Sequence, residues 1–263
     1  MLRPLFYVPD DTHCEMICVR KTTGRNMTKK ALSLFMCLMI FISLLSPFAL
    51  AANREWFCAA PLSTVPESAA ADPAWFSDAC LIGHSQAEGM QAHMELPQMD
   101  YYALNGLKAS QALKIGVIPL PGGGIGSLRG GLAAHSYKHV FILLGINDCT
   151  RYENGPENFR TAMSDILDVV KETQPQADIC LLSLLPVGRS TPDPLRYNRE
   201  NAVLYSQVLK SLSREYDTEY LDLFRLMADE DGYLLEECDS GDGIHLRIGQ
   251  YEALREFFLT HTW

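Results

Sequence analysis

From residue 78 onward, short apolar runs alternate with polar stretches of helical spacing. Residues 78–82, 101–104, 138–144, 178–185 and 219–223 each read as a short buried strand. The third, Lys-His-Val-Phe-Ile-Leu-Leu, is a continuous apolar run, as a central parallel strand covered on both faces requires. Between the strands, residues 156–173 put Phe159, Met163, Ile166 and Val170 on one stripe, with Pro156 suited to the first turn. Residues 196–216 align Tyr205, Val208, Leu212 and Tyr216, and residues 247–260 align Ile248, Tyr251, Leu254 and Phe258. Strands alternating with helices predict an α/β domain: a parallel five-stranded sheet with helices on both faces.

Two stretches break this rhythm. Residues 52–77, rich in Ala, Pro and Ser, lack periodicity and are expected to form a linker or a segment laid over the domain surface. Residues 119–131 read Pro-Leu-Pro-Gly-Gly-Gly-Ile-Gly-Ser-Leu-Arg-Gly-Gly. This fits neither Gly-x-Gly-x-x-Gly nor the phosphate-binding loop with its lysine, so a flexible surface loop is expected rather than a nucleotide cradle.

Nothing before residue 52 follows the domain pattern. Met27-Thr-Lys-Lys precedes the apolar run 31–45, then Ser46-Pro47 and Ala49-Leu50-Ala51, the layout of a secretory signal peptide cleaved after Ala51. Residues 27–51 are therefore expected to direct export, with Met27 as the true start and residues 1–26 as an upstream extension. An uncleaved anchor is the alternative, since the apolar run approaches a bilayer span. Residues 78–263 form the domain.

Composition narrows the partners. The 263 residues are 48% hydrophobic, enough for one sizeable core. Three acidic and six basic residues lie in 1–51, so the exported part has 29 acids and 16 bases, a formal charge of −13. Such a surface repels phosphate backbones and anionic membranes, which argues against nucleic acid as a partner. Of eight cysteines, Cys58, Cys80, Cys149, Cys180 and Cys238 follow the cleavage site; an odd number without Cys-x-x-Cys is neither a disulfide framework nor a zinc knuckle. A Cys58–Cys80 bridge stays open after export. No His-Glu-x-x-His spacing occurs, so metal-assisted hydrolysis has no support in the pattern.

Candidate chemistry gathers beyond strand ends. Ser85, in Leu-Ile-Gly-His-Ser-Gln-Ala-Glu-Gly-Met, follows the first strand on a turn into a helix, where a hydroxyl stands at the ligand-binding edge of an open sheet. Asn105-Gly106 follows the second strand and Gly145-Ile146-Asn147-Asp148 the third. The N–H groups of Ser85 and Gly106 and the Asn147 amide are candidates to converge on one oxyanion. Gly241-Asp242-Gly243-Ile244-His245 precedes the last helix; residues three apart on such a turn can face each other, Asp242 taking the Nδ1 proton of His245 and leaving Nε2 for Ser85. Each stretch read singly also suits a cap or a turn.

Together these blocks resemble the SGNH, or GDSL-like, hydrolase superfamily, whose four signature residues correspond to Ser85, Gly106, Asn147 and His245. The resemblance runs from about residue 78 to 258 and is nearest to secreted bacterial members. It implies a flavodoxin-like three-layer α/β/α sandwich and a Ser/His/Asp esterase with Asp242 as the triad carboxylate, without metal or organic cofactor. Expected substrates are short acyl groups, such as acetyl, on a glycan or other small ester. An O-acyltransferase would use the same residues, and a glycan-binding protein without turnover is the rival from another class. One departure stands out: the family's first block usually reads Gly-Asp-Ser, and here it is Gly83-His84-Ser85. His84 is expected either to alter how the turn is braced or to place a titratable cation beside the nucleophile. Gln86, where members often have Arg, is expected to affect recognition of the leaving part.

Overall fold

Mostly apolar residues buried on both faces make the five strands of the sheet, and a computed structural model of the chain describes residues 63–263. The expectations for residues 1–62, including the signal peptide and Cys58, lie outside the described residues. The strands are β1 (Ala79–Gly83), β2 (Asp100–Ala103), β5 (His139–Leu143), β6 (Asp178–Leu182) and β7 (Glu219–Leu221). They pair parallel throughout in the order β2-β1-β5-β6-β7. The chain runs outward from β1 to β2 and then returns to the other side of β1, so the order reverses between β1 and β5. In sheets of this flavodoxin-like order the ligand crevice opens at that reversal, outside the carboxyl ends of the strands.

Successive side chains of each strand point to opposite faces, which divides the core in two. Cys80, Ile82, Val140, Ile142 and Leu181 face one layer, made by helices α2 (Ala109–Ala112), α3 (Leu128–Ala133), α4 (Gly155–Thr173) and α5 (Arg199–Tyr216), with α1 (Ser85–His93) on the other face. Leu81, Phe141, Leu143 and Leu182 face α1 and α7 (Tyr251–Thr260), which follows α6 (Leu223–Met227). The three layers of the resemblance are therefore present. On α4, Phe159, Met163, Ile166 and Val170 are all buried, the stripe read from their spacing.

Several boundaries differ from expectation: β6 ends at Leu182 rather than 185, and β7 at Leu221 rather than 223, where α6 begins. Residues 119–131 are not a loop: the antiparallel pair β3 (Ile118–Pro119) and β4 (Ile125–Gly126) is followed by α3, capped by the Ser127 hydroxyl, with Leu128 and Leu132 buried. Two buried leucines four apart anchor a helix despite Gly130 and Gly131; a Cβ on Gly131 would stand 2.6 Å from the Tyr102 ring, so the glycine permits close packing. Residues 196–198 lie ahead of α5 as a turn, and residues 248–250 form a separate 3-10 turn before α7. The described part of 52–77 is laid against the domain. Thr64 N–H donates to the Tyr220 carbonyl (2.9 Å), Ala71 N–H to that of Leu259 (2.8 Å), and Val65 and Phe76 are buried. Cys80, Cys149, Cys180 and Cys238 are free and buried.

Candidate active site

The corner between β1 and α1 depends on Gly83. A Cβ there would stand 2.5 Å from that of Ala87 and 3.0 Å from the Leu143 carbonyl oxygen, so any side chain would push the helix off the strand. His84 follows in extended backbone (φ −107°, ψ −154°) and caps α1, its Nδ1 accepting the Gln86 N–H at 3.3 Å. Ser85 is the first residue of the helix, so its N–H has no acceptor within the helix.

A loop from the far end of the chain closes over this corner. Asp239 organises it, one carboxylate oxygen accepting the N–H groups of Gly241 (2.8 Å) and Gly243 (2.9 Å). Both glycines have positive φ, and a Cβ on Gly243 would fall 2.1 Å from the Ser190 carbonyl oxygen. Gly188 N–H donates to the Gly243 carbonyl (2.8 Å), fastening the loop to the segment after β6. From α1, the Gln86 amide donates to the Ile244 carbonyl at 2.7 Å.

The result is an unbroken line of polar atoms. Ser85 Oγ lies 2.8 Å from His245 Nε2, and His245 Nδ1 lies 2.6 Å from Asp242 Oδ2. Asp242 Oδ1 meanwhile accepts the N–H groups of Ile244 and His245, both at 2.9 Å. Partial burial works against ionisation of Asp242, yet the His245 hydrogen bond and the two backbone N–H groups outweigh it and hold the carboxyl at about 2. A carboxylate fixed as an acceptor places the imidazole proton on Nδ1 and leaves Nε2 to face the serine hydroxyl.

The register carries two more blocks to the same edge. Gly83 pairs with Ala103 on one side and Leu143 on the other, so the chain leaves all three strands at one level. Gly106, at φ +72° with open space around it, turns the chain after β2. Asn147 follows β5; its amide donates to the Leu107 carbonyl (3.3 Å), which leaves its second N–H outside that bond. The Arg196 guanidinium reaches the carbonyls of Cys149 (2.9 Å) and Asn147 and clamps this turn from the β6 side. Asp148 accepts the N–H groups of Ala109 (2.8 Å) and Ser110 (3.2 Å), tying the β5 turn to the start of α2. Beside Asn147 opens a cavity of about 410 Å³ walled by Lys108, Asp148, Arg151, Asp193 and Arg196, with Tyr152 at its lip.

Ser85, Asp242 and His245 are thus brought together, and Gly106 and Asn147 follow the two strands that flank β1. Two expectations need correction. His84 is no cation: it is fully buried, and burial first, with the neighbouring His245 second, drives its pKa down to about 3. Gln86 is also buried, and its amide N–H donates to the Ile244 carbonyl, so it braces the closing loop rather than meeting a leaving group. Asp239, Glu88 and Arg196 escaped the sequence reading. The Asp239-x-Gly241-x-Gly243 spacing is a turn signal that points to the first. Glu88, which accepts the Asn105 N–H at 2.8 Å, and Arg196 act across long sequence separations and leave no local mark.

Comparison with known proteins agrees with this architecture. A rat protein named platelet-activating factor acetylhydrolase IB subunit alpha2 is 30% identical over 118 residues, 44% of this chain and 48% of that protein. The mouse protein of the same name matches over the same shares. The chain thus spans about half the length of the curated relatives it matches. Among solved structures, a Bacteroides fragilis protein provisionally described as an acylhydrolase has a TM-score of 0.54 at 15% identity, covering 74% of this chain and 88% of that one. A GDSL-like lipase from Bacteroides thetaiotaomicron has a TM-score of 0.50 at 15% identity, covering 68% and 84%. These likenesses speak for the fold. The GDSL-like Lipase/Acylhydrolase family matches residues 82–252, from the last residues of β1 into α7, and the chain therefore belongs to that family.

Proposed function

We propose that the protein is an exported serine esterase that removes short acyl groups, acetyl in the first instance, from a polar alcohol such as a sugar. The single observation that carries this reading is the Ser85–His245–Asp242 line, at 2.8 and 2.6 Å. Ser85 Oγ attacks the ester carbonyl while its proton passes to His245 Nε2, and Asp242 steadies the imidazolium that forms. The carbonyl oxygen becomes an oxyanion, held by the N–H groups of Ser85 and Gly106 and the Asn147 amide. Collapse breaks the ester C–O bond, and the leaving alkoxide takes the proton from His245. Water, deprotonated by the same histidine, then attacks the acyl-serine, releasing the carboxylic acid and restoring Ser85.

The walls beside Asn147 favour a short acyl group. The cavity adjoins the proposed oxyanion hole at Asn147, though neither Ser85 nor His245 lines it; beside Phe159 and Leu195 it carries Lys108, Asp148, Arg151, Asp193 and Arg196, and covering those charges with a long hydrocarbon would strip their hydration without a compensating bond. A small acyl group on a hydroxyl-rich alcohol avoids that cost. The name of the rat and mouse relatives, an acetylhydrolase, points the same way. The signal-like residues 27–51 favour export, and the acidic charge disfavours a nucleic-acid partner.

The test uses p-nitrophenyl esters from acetyl to palmitoyl and an O-acetylated sugar with purified protein starting at Met27 or residue 52. Expected are turnover greatest for acetyl and fluorophosphonate labelling mapped to Ser85. Faster turnover of long-chain esters would reverse the acyl assignment, and absence of labelling would remove the serine mechanism. A second expected result concerns the clamp. Arg196→Met should lower kcat for acetyl esters about tenfold, short of the roughly 10²–10³ that losing an oxyanion donor outright costs, because the Asn147 turn loosens without vanishing. Steady-state kinetics beside a melting curve separates this from general destabilisation.

A further inference from the structure

His84 stands where the family's first block usually carries an aspartate, immediately before the nucleophile. Its ring is wholly buried, and Nδ1 accepts the Gln86 N–H. A nitrogen that accepts carries no proton, so the ring is the neutral Nε2–H tautomer. In branching, Nδ1 occupies the place of an aspartate or asparagine Oδ1, the atom that ordinarily caps a helix. The ring Nε2 and the neighbouring Gln86 Oε1 are both buried and without a hydrogen-bond partner among the described residues. Protonation of the ring would therefore break the cap and leave a buried charge beside His245.

We propose that His84 is a positioning residue, an uncharged cap that holds Ser85 at the head of α1 and keeps a second anion away from His245. The inference rests on the proposed Ser85–His245 relay. The charged or titratable side chains on the elements that meet at this corner include Glu88 and His93 on α1, Asp239, Asp242, His245 and Arg247 on the closing loop, Asp148 and Cys149 after β5, and Arg189 and Arg196 after β6. Glu88 is tied to Asn105, Asp148 to α2, and Arg189 to Asp229 and Asp231. Asp242 is the carboxylate bonded to the imidazole. An aspartate at position 84 would add another beside it and stabilise the imidazolium form, so that His245 would become available as a base only at higher pH. The histidine keeps the capping acceptor and omits that charge, which extends activity toward acid.

Three variants and one measurement on the wild type test this. His84→Asn keeps a neutral acceptor and should retain kcat/KM for p-nitrophenyl acetate within about threefold, with an unmoved acid limb. His84→Leu removes the acceptor and should lose about 2–4 °C in Tm, with a lower kcat. His84→Asp should shift the acid limb of kcat/KM upward by about one pH unit, as an added opposite charge near an imidazole does. In the wild type, the side-chain nitrogen shifts of His84 should remain those of the neutral Nε2–H tautomer from pH 8 to pH 5. Titration of His84 within that range, or an acid limb of His84→Asp superimposable on the wild type, overturns the proposal. Wild-type protein whose Ser85 fails to react with fluorophosphonate overturns the relay instead.

Discussion

Ser85→Ala is expected to lower kcat for acetyl esters by about 10⁴-fold or more while Tm stays within about 1 °C of the wild type. The Ser85 hydroxyl sits 2.8 Å from His245 Nε2 and caps nothing, so its removal takes the proposed nucleophile and leaves the helix cap on His84 in place. Residues acting as one unit lose most of their effect when any member is removed, so adding His245→Ala to Ser85→Ala should cost little more. A kinetic trace free of acyl-enzyme burst, with an unchanged melting curve, is the measurement. Activity surviving near the wild-type level in Ser85→Ala would place the chemistry elsewhere.

Asp242→Asn should reduce kcat by about 10²–10⁴ with a small change in stability. Oδ1 accepts the N–H groups of Ile244 and His245, and asparagine retains that oxygen, so the loop keeps its shape. The other branch becomes an NH₂, which cannot accept from His245 Nδ1. The favoured tautomer then carries its proton on Nε2, where it cannot take the one from Ser85. The same residue separates two pH effects. The Asp242 carboxyl is held at about 2, below the ordinary value near 4, so its stabilisation is complete above pH 4 and lost only as pH falls toward 2. Activity that declines on acidification well above pH 2 therefore reports a group other than this carboxylate.

The strands, the large helices and the fold class were legible because each leaves a periodic trace along the chain. A continuous apolar run at 138–144 and the stripe on α4 need no distant residue to be read. The members of the proposed triad were legible for a similar reason: Asp242 and His245 are three apart on one turn, and Ser85 follows a strand end through Gly83. The region 119–131 misled because glycine and proline dominate its composition, while the feature that orders it, Leu128 and Leu132 sinking against the sheet, is tertiary. His84 misled in another way. Its identity permits either a cation or a neutral acceptor, and complete burial chooses the second.

By itself the order of residues determined which segments become strands and helices, that the domain is α/β, and which side chains are the candidates for the chemistry. Periodicity of burial and the needs of sharp turns are local properties, written within a dozen positions. Only the tertiary structure decided that the order reverses between β1 and β5, that Asp239, Gln86 and Gly188 lock a loop 160 residues distant over Ser85, and that His84 is uncharged. Those depend on distances between remote segments and on exclusion of water, quantities that exist only once the chain has closed on itself.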